Sequence, residues 1–185
     1  DLLVADSQRN ELLRFKAADG QLVWRLPVGE NFFLSPIDDD RVFLTLPSGQ
    51  LWEVLLDSGE SKRQVRFPME LSAAAAISDN GQTLWQAGRH TNLFALNSQT
   101  LQCQDAYFLD HKAGTMDFPP AIVLGHCIVP HHSGLDRAVL HVLTGIEEGQ
   151  LQAAQAAIPF NQHFALPLLQ SRSQVVAVTQ TGAIF

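Results

Sequence analysis

The chain has 185 residues, 46% of them hydrophobic and 17% charged, with a formal charge of −7. That composition supports a packed core and excludes a disordered chain. The acidic balance argues against nucleic acid as a partner, since phosphate binding needs clustered Lys and Arg and the longest basic cluster is Lys62-Arg63 with Arg66.

In chain order, short β-rich segments alternate with turn residues. Leu2-Leu3-Val4-Ala5 opens the series. Leu12-Leu13-Arg14-Phe15 follows, before the turn Ala17-Ala18-Asp19-Gly20, and a further strand carries Trp24. Strands are then expected at 33–37, 41–46, 50–56 and 62–67, closed in turn by Asp38-Asp39-Asp40, Pro47-Ser48-Gly49, Asp57-Ser58-Gly59-Glu60 and Pro68. The next set is 73–77, 83–87, 92–96 and 101–108, and the one after it 121–124, 127–130, 138–143 and 151–158. Strands at 166–169 and 174–178 follow, and another begins at Ile184-Phe185. No segment sustains helical spacing. Residues 150–157, rich in Gln and Ala, and Ala73 to Ala76 suit a helix on propensity, but their place in the series predicts strand.

One unit recurs: an apolar pair, a variable residue, another apolar residue, then a polar turn. Its copies begin at Leu12, Leu51, Leu93, Val139 and Ile184, giving spacings of 39, 42, 46 and 45 residues. Four strands in roughly 40–45 residues is the period of a β-propeller blade. The expected fold is therefore all-β, a single β-propeller domain of four-stranded antiparallel blades. About four and a half blades are expected, at approximately 1–30, 31–69, 70–114, 115–161 and 162–185. The chain enters directly on a strand with no secretory leader, and its last segment duplicates strands the first blade already has. Both features predict part of a larger ring, of roughly six to eight blades. No apolar run reaches the ~18 residues of a membrane-spanning helix.

The unit Glu11-Leu12-Leu13-Arg14-Phe15-Lys16-Ala17-Ala18-Asp19-Gly20-Gln21-Leu22-Val23-Trp24 resembles the repeat of pyrroloquinoline-quinone-type propellers, with Gly20 and Trp24 matching the turn glycine and the terminal tryptophan. Asn92-Leu93-Phe94-Ala95-Leu96-Asn97 matches the first half of that repeat. Ser48-Gly49-Gln50-Leu51-Trp52 and Thr181-Gly182-Ala183-Ile184 are similar to its lead-in. The resemblance covers the chain as a pattern and is specific for a quinoprotein-like or WD-repeat-like propeller. The equivalents of Trp24 are expected at Phe67, Phe108 and Ile158. What the resemblance implies divides in two. Some members are quinone-dependent dehydrogenases, and the alcohol dehydrogenases among them hold the cofactor with an adjacent cysteine pair, a stacking Trp and carboxylates on calcium. This chain has no adjacent cysteine pair, and Trp24, Trp52 and Trp85 all lie inside repeat strands. Other members, such as the outer-membrane assembly lipoprotein and sensor-type ectodomains, are non-catalytic binding platforms. The resemblance thus implies a non-catalytic interaction scaffold for a protein or small ligand, with an enzyme fragment as the alternative and an extracytoplasmic location.

The residues call for no catalytic group, cofactor or metal. Cys103 and Cys127 lack zinc spacing and read as buried free thiols. His126-Cys127 and His131-His132 are metal-ligand types, but Cys127 and His131 lie ~13 Å apart along a strand. Asp38-Asp39-Asp40 and Glu147-Glu148-Gly149 sit where acidic turn residues are normal, and no nucleophile elbow occurs. In an up-and-down blade, the loop between strands two and three shares an end with the blade-to-blade connection. The longest irregular stretches, 110–117 and 131–137, are of these two kinds, and Gly88-Arg89-His90-Thr91 lies on the same side. Long polar loops on one side of a rigid scaffold predict a binding rim, carried by Arg89, His90, His111, Lys112, His131, His132, Asp136 and Arg137.

Overall fold

The computed structural model describes residues 1–35, 40–109, 114–144, 151–171 and 173–185, and among these no helix forms. Two compact units divide the chain, Asp1–Glu70 and Leu71–Phe185.

The first unit holds two antiparallel sheets. β1 (Leu2–Asp6), β2 (Glu11–Phe15) and β3 (Leu22–Pro27) pair in sequence order, as do β4 (Phe33–Leu34), β5 (Arg41–Leu46), β6 (Gln50–Leu55) and β7 (Ser61–Arg66). β5 is buried along its whole length, which explains its near-continuous apolar run, whereas β7 alternates and forms the outer edge. Leu12, Val42, Leu44, Leu46 and Val54 form the core, with Trp24 and Trp52 packed against it.

Leu71–Phe185 continues the scheme. β8 (Ala76–Ile77), β9 (Thr83–Ala87), β10 (Asn92–Asn97) and β11 (Cys103–Phe108) form the next four-stranded sheet. The following sheet has five strands: β12 (Gly114–Thr115), β13 (Ala121–Val123), β14 (His126–Ser133), β15 (Arg137–Leu143) and β16 (Ile158–Phe160). β12 and β13 share one edge of β14, facing its two ends. β17 (Leu169–Gln170) and β18 (Val175–Val176) pair next, and Phe185 exchanges backbone hydrogen bonds of 3.0 and 3.1 Å with Ala177. Successive residues of β14 feed different cores. Cys127 and Val129 join Trp85, Ala87, Leu93 and Ala95 of the preceding sheet, while Ile128 faces Phe164, Leu168 and Ala177.

The repeat extends to backbone detail. The register shifts between Arg14 and Phe15, between Glu53 and Val54, and between Ala95 and Leu96. These are the third and fourth positions of three successive copies, so each blade places its β-bulge at one point. The turn that follows repeats as well. Gly20, Gly59 and Leu101 donate their N–H to the carbonyls of Lys16, Leu55 and Asn97 at 2.8–2.9 Å, with φ of 71, 72 and 58°. Leu101 occupies a left-handed site that glycine fills in the two earlier blades, and its side chain is buried.

Several expectations are corrected. The fourth strand of blade four is not 151–158. Residues 152–157 are exposed and make a single bridge, Leu143 to Ala153, and strand pairing resumes only at β16. Gln and Ala have little sheet preference, so pairing waits for Ile158-Pro159-Phe160. β14 runs eight residues to Ser133, taking in His131 and His132. Cys103 is exposed on an outer strand, so only Cys127 is a buried thiol. The equivalents of Trp24 are set by register: Trp24 opposes Arg14, Arg63 opposes Glu53, and Asp105 opposes Ala95. Phe67 and Phe108 lie elsewhere in the repeat.

That position joins one blade to the next. Trp24 Nε1–H donates to the Leu56 carbonyl at 2.7 Å, and its ring covers Gly59, where a Cβ would come within 2.6 Å of ring carbon. In blade three, Asp105 takes the same role with different chemistry, its carboxylate accepting the Leu151 N–H at 2.6 Å.

Candidate interaction rim

Two hairpins between second and third strands stand at one end of blades three and four. In blade three, Gly88 N–H donates to the Asn92 carbonyl at 2.8 Å. His90 and Thr91 between them have φ of 60 and 65°. With Ala87 opposite Leu93, the loop is the three residues Arg89-His90-Thr91, two of them left-handed, and a β-branched residue there is strained. The strain is held by Asn92, whose Nδ2 donates to the Arg89 and His90 carbonyls at 3.2 Å, and by Leu109 N–H donating to the Thr91 carbonyl at 3.0 Å. Arg89 and His90 are exposed at the tip.

The blade-four hairpin joins β14 to β15 through Gly134-Leu135-Asp136, with Ser133 opposite Arg137. Leu135 at its tip is 98% exposed, and Asp136 and Arg137 beside it are also exposed. The base is clamped through His132. Its Nδ1–H donates to Asp117 Oδ2 at 3.2 Å, and its Nε2 accepts the Phe164 N–H at 3.1 Å. These two bonds fit the neutral Nδ1–H tautomer. The ring stacks on His163 at 4.4 Å and 8°, and meets the edge of Phe118 at 5.7 Å. His163 Nε2–H donates to the Gly134 carbonyl at 3.1 Å. Burial lowers the His132 pKa, the nearby His163 lowers it further, and Asp117 opposes both.

Of the expected rim residues, Arg89, His90, Asp136 and Arg137 are at hairpin tips. His111 and Lys112 lie outside the described residues, as do Asp38, Asp39 and Glu147-Glu148-Gly149. His131 and His132, expected in a loop, are strand residues with opposite roles. His131 is fully buried beside His141, with ring nitrogens 3.3 Å apart, and is not a contact residue. A Cβ at Gly114 would strike the His131 ring, so glycine lets β12 lie against β14 here. His132 stiffens the hairpin and is largely covered. Adjacent strand residues point to opposite faces, and that parity is the sequence signal separating the two histidines. Asp117 and His163, which complete the clamp, carry no local signal. Burial raises the Cys127 thiol pKa far above its ordinary value. Among the described residues, no three His, Cys, Asp or Glu side chains are grouped to hold a metal.

An apolar cavity of about 930 Å³ also opens between β16 and 175–185, bordered by Leu140, Ile158, Phe160, Val175 and Phe185. In the preceding blades the third and fourth strands pack beside the second, so this lining reads as blade-packing surface.

No family model matches the chain, and no curated protein matches it by sequence. Solved structures match it closely in fold. BamB from Moraxella catarrhalis superposes with a TM-score of 0.65 at 14% identity, over 96% of this chain and 51% of its own. Dihydro-heme d1 dehydrogenase NirN, in complex with DHE, gives 0.72 at 14%, over 99% and 42%. The WD40 domain of Toxoplasma gondii coronin gives 0.72 at 9%, over 96% and 49%. The chain spans about half the length of the structures it matches. Four-stranded antiparallel blades, a bulge and turn that recur with the repeat, and these propeller neighbours establish that the chain carries a quinoprotein-like, WD-repeat-like β-propeller fold, as a partial propeller.

Proposed function

We propose that the chain is a non-catalytic scaffold that binds a protein partner through the rim formed by the hairpin tips at 89–91 and 134–137. The observation that carries this reading is Leu135, 98% exposed on a tip whose base is fixed by the His132 clamp. A single exposed leucine is common on protein surfaces. One held on a rigid hairpin beside Asp136 and Arg137 is a preorganised contact, with little ordering entropy left to lose on binding. The neighbouring charges supply a polar margin around the apolar anchor.

A photo-crosslinking residue placed at position 135 of the full gene product, in its native cell, tests this. A control goes at Gln99, exposed on the turn at the other end of blade three. The expected result is a discrete protein adduct from position 135 and none from 99. Leu135→Ser combined with Arg137→Glu then weakens binding of that partner by about tenfold or more, typical for loss of an anchor contact. Equal labelling from both positions, or a double variant that binds like the parent, defeats the proposal.

A further inference from the structure

The turn of the β14–β15 hairpin is held from outside the hairpin. His163, between β16 and β17, donates Nε2–H to the Gly134 carbonyl at 3.1 Å. The next residue, Phe164, is anchored, its side chain 1% exposed and packed with Ala138, Leu140, Leu168 and Ala177. Its backbone N–H is received by His132 Nε2 at 3.1 Å. His132 and His163, stacked at 4.4 Å and 8°, therefore form one unit that joins the base of the hairpin to its turn.

That unit depends on charge. Neutral His132 offers Phe164 a lone pair on Nε2. A proton there turns the acceptor into a donor and sets two N–H groups against each other. Across the stack, imidazolium faces imidazolium once His163 is protonated as well, and like charges at that distance repel. Asp117 acts in the opposite sense. Its Oδ2 receives His132 Nδ1–H at 3.2 Å, and a charged ring strengthens that bond. Thr115 Oγ1–H shares the same oxygen at 2.7 Å. On the other strand of the hairpin, Ala138 opposes His132 and brings no charge, while Arg137 lies one position further, opposite Ser133. Phe118 and Phe164 pack against the ring and do not titrate. His131 and His141 lie on the other face of the strand pair. Acid thus moves the hold of His132 from Phe164 to Asp117, and His163 leaves Gly134 with the Phe164 backbone.

We propose that the His132–His163 pair is a pH-operated latch on the β14–β15 hairpin, holding its turn at neutral pH and freeing it in acid, so that the rim releases its partner on acidification. The release rests on the rim reading above. The latch itself does not.

The test is a nitroxide label at position 135 of the full gene product, through Leu135→Cys in a Cys103→Ser background, since Cys127 is buried. A second label at Gln99 is the control. Spectra are followed reversibly between about pH 7.5 and 5.5, across the range where histidine changes charge. The expected result is loss of the slow component at 135 in acid, with a midpoint below 6.5, and no change at 99. His132→Phe abolishes the response. Asp117→Asn removes the charge that favours the imidazolium and moves the midpoint to lower pH by about one unit. A line shape at 135 that is constant with pH, a response that survives in His132→Phe, or a midpoint unmoved or raised by Asp117→Asn overturns the latch. For the release, the photo-adduct at position 135 is expected to fall in acid in the parent and to persist in His132→Phe. An adduct that persists in the parent after the label is freed overturns the coupling to binding. Absence of any adduct at neutral pH defeats the rim reading instead, and the label still decides the latch.

Discussion

Glu53 is 1% exposed, yet it carries a carboxylate between two guanidiniums, with Arg63 Nε at 2.5 Å and Arg41 Nη1 at 3.2 Å. Burial acts to raise its pKa. The hydrogen bonds and positive charge of Arg63 and Arg41 outweigh burial, and the net shift is downward from 4.5. A carboxylate whose folded pKa lies below its unfolded value stabilises the fold above the unfolded pKa. That contribution is lost as pH falls through the folded value. Glu53→Gln is therefore expected to cost about 3 kcal/mol at neutral pH, chiefly because Arg41 and Arg63 lose the buried carboxylate charge that they share. The gap between parent and variant should close below pH 4.5 in denaturant titrations across the acid range. A gap constant with pH would refute the account. At this scale, legibility depended on how local the cause is. Gly20, Gly59 and Trp24 were readable because a turn and a large aromatic mark themselves in any sequence. The equivalence of Trp24 with Arg63 and Asp105 was not, since it depends on a bulge that shifts the register within the strand pair.

The hairpin from β14 to β15 behaves as one element because His132 ties its base to Asp117 and to the Phe164 amide. With its pKa held below 6.5 by burial and His163, His132 stabilises this junction fully above that unfolded value. The stabilisation is lost as pH falls below 6.5 and through the depressed folded pKa. A proton on Nε2 would set an N–H against the Phe164 N–H. Amide exchange should therefore show Phe164 protected at neutral pH and progressively less protected on acidification. His132→Phe, which keeps the ring packing but loses both hydrogen bonds, should cost about 1–2 kcal/mol and remove that pH response. Phe164 protection that stays constant in the parent over the same range would contradict this role. Strand positions were largely readable because alternation and turn residues act over a few neighbours. The errors fell at 131–133, where a turn-like His-His-Ser continues a strand, and at 151–158, where Ala and Gln pattern like neither element. In both places pairing with an adjacent strand decided the outcome.

Within Leu71–Phe185, blades that dock on one another supply a frame, and the proposed function rests on the hairpin tips at one end of blades three and four. The non-catalytic reading predicts that pyrroloquinoline quinone with calcium gives no saturable thermal shift. A bound cofactor at ~100 times its Kd would add about 2.7 kcal/mol of stability. A saturable shift of that kind would reverse the preference and favour a dehydrogenase. Repeat period, turn chemistry and apolar alternation all act between near neighbours, and by themselves they determined the all-β class, the four-stranded blade and most strand positions. Tertiary structure alone decided which polar residues meet. It buried His131 but set His132 against Asp117 and His163, and gave Asp105 the docking role of a tryptophan. Those encounters join side chains from different strands and blades, so their geometry follows from register and packing and leaves no mark in any local stretch of sequence.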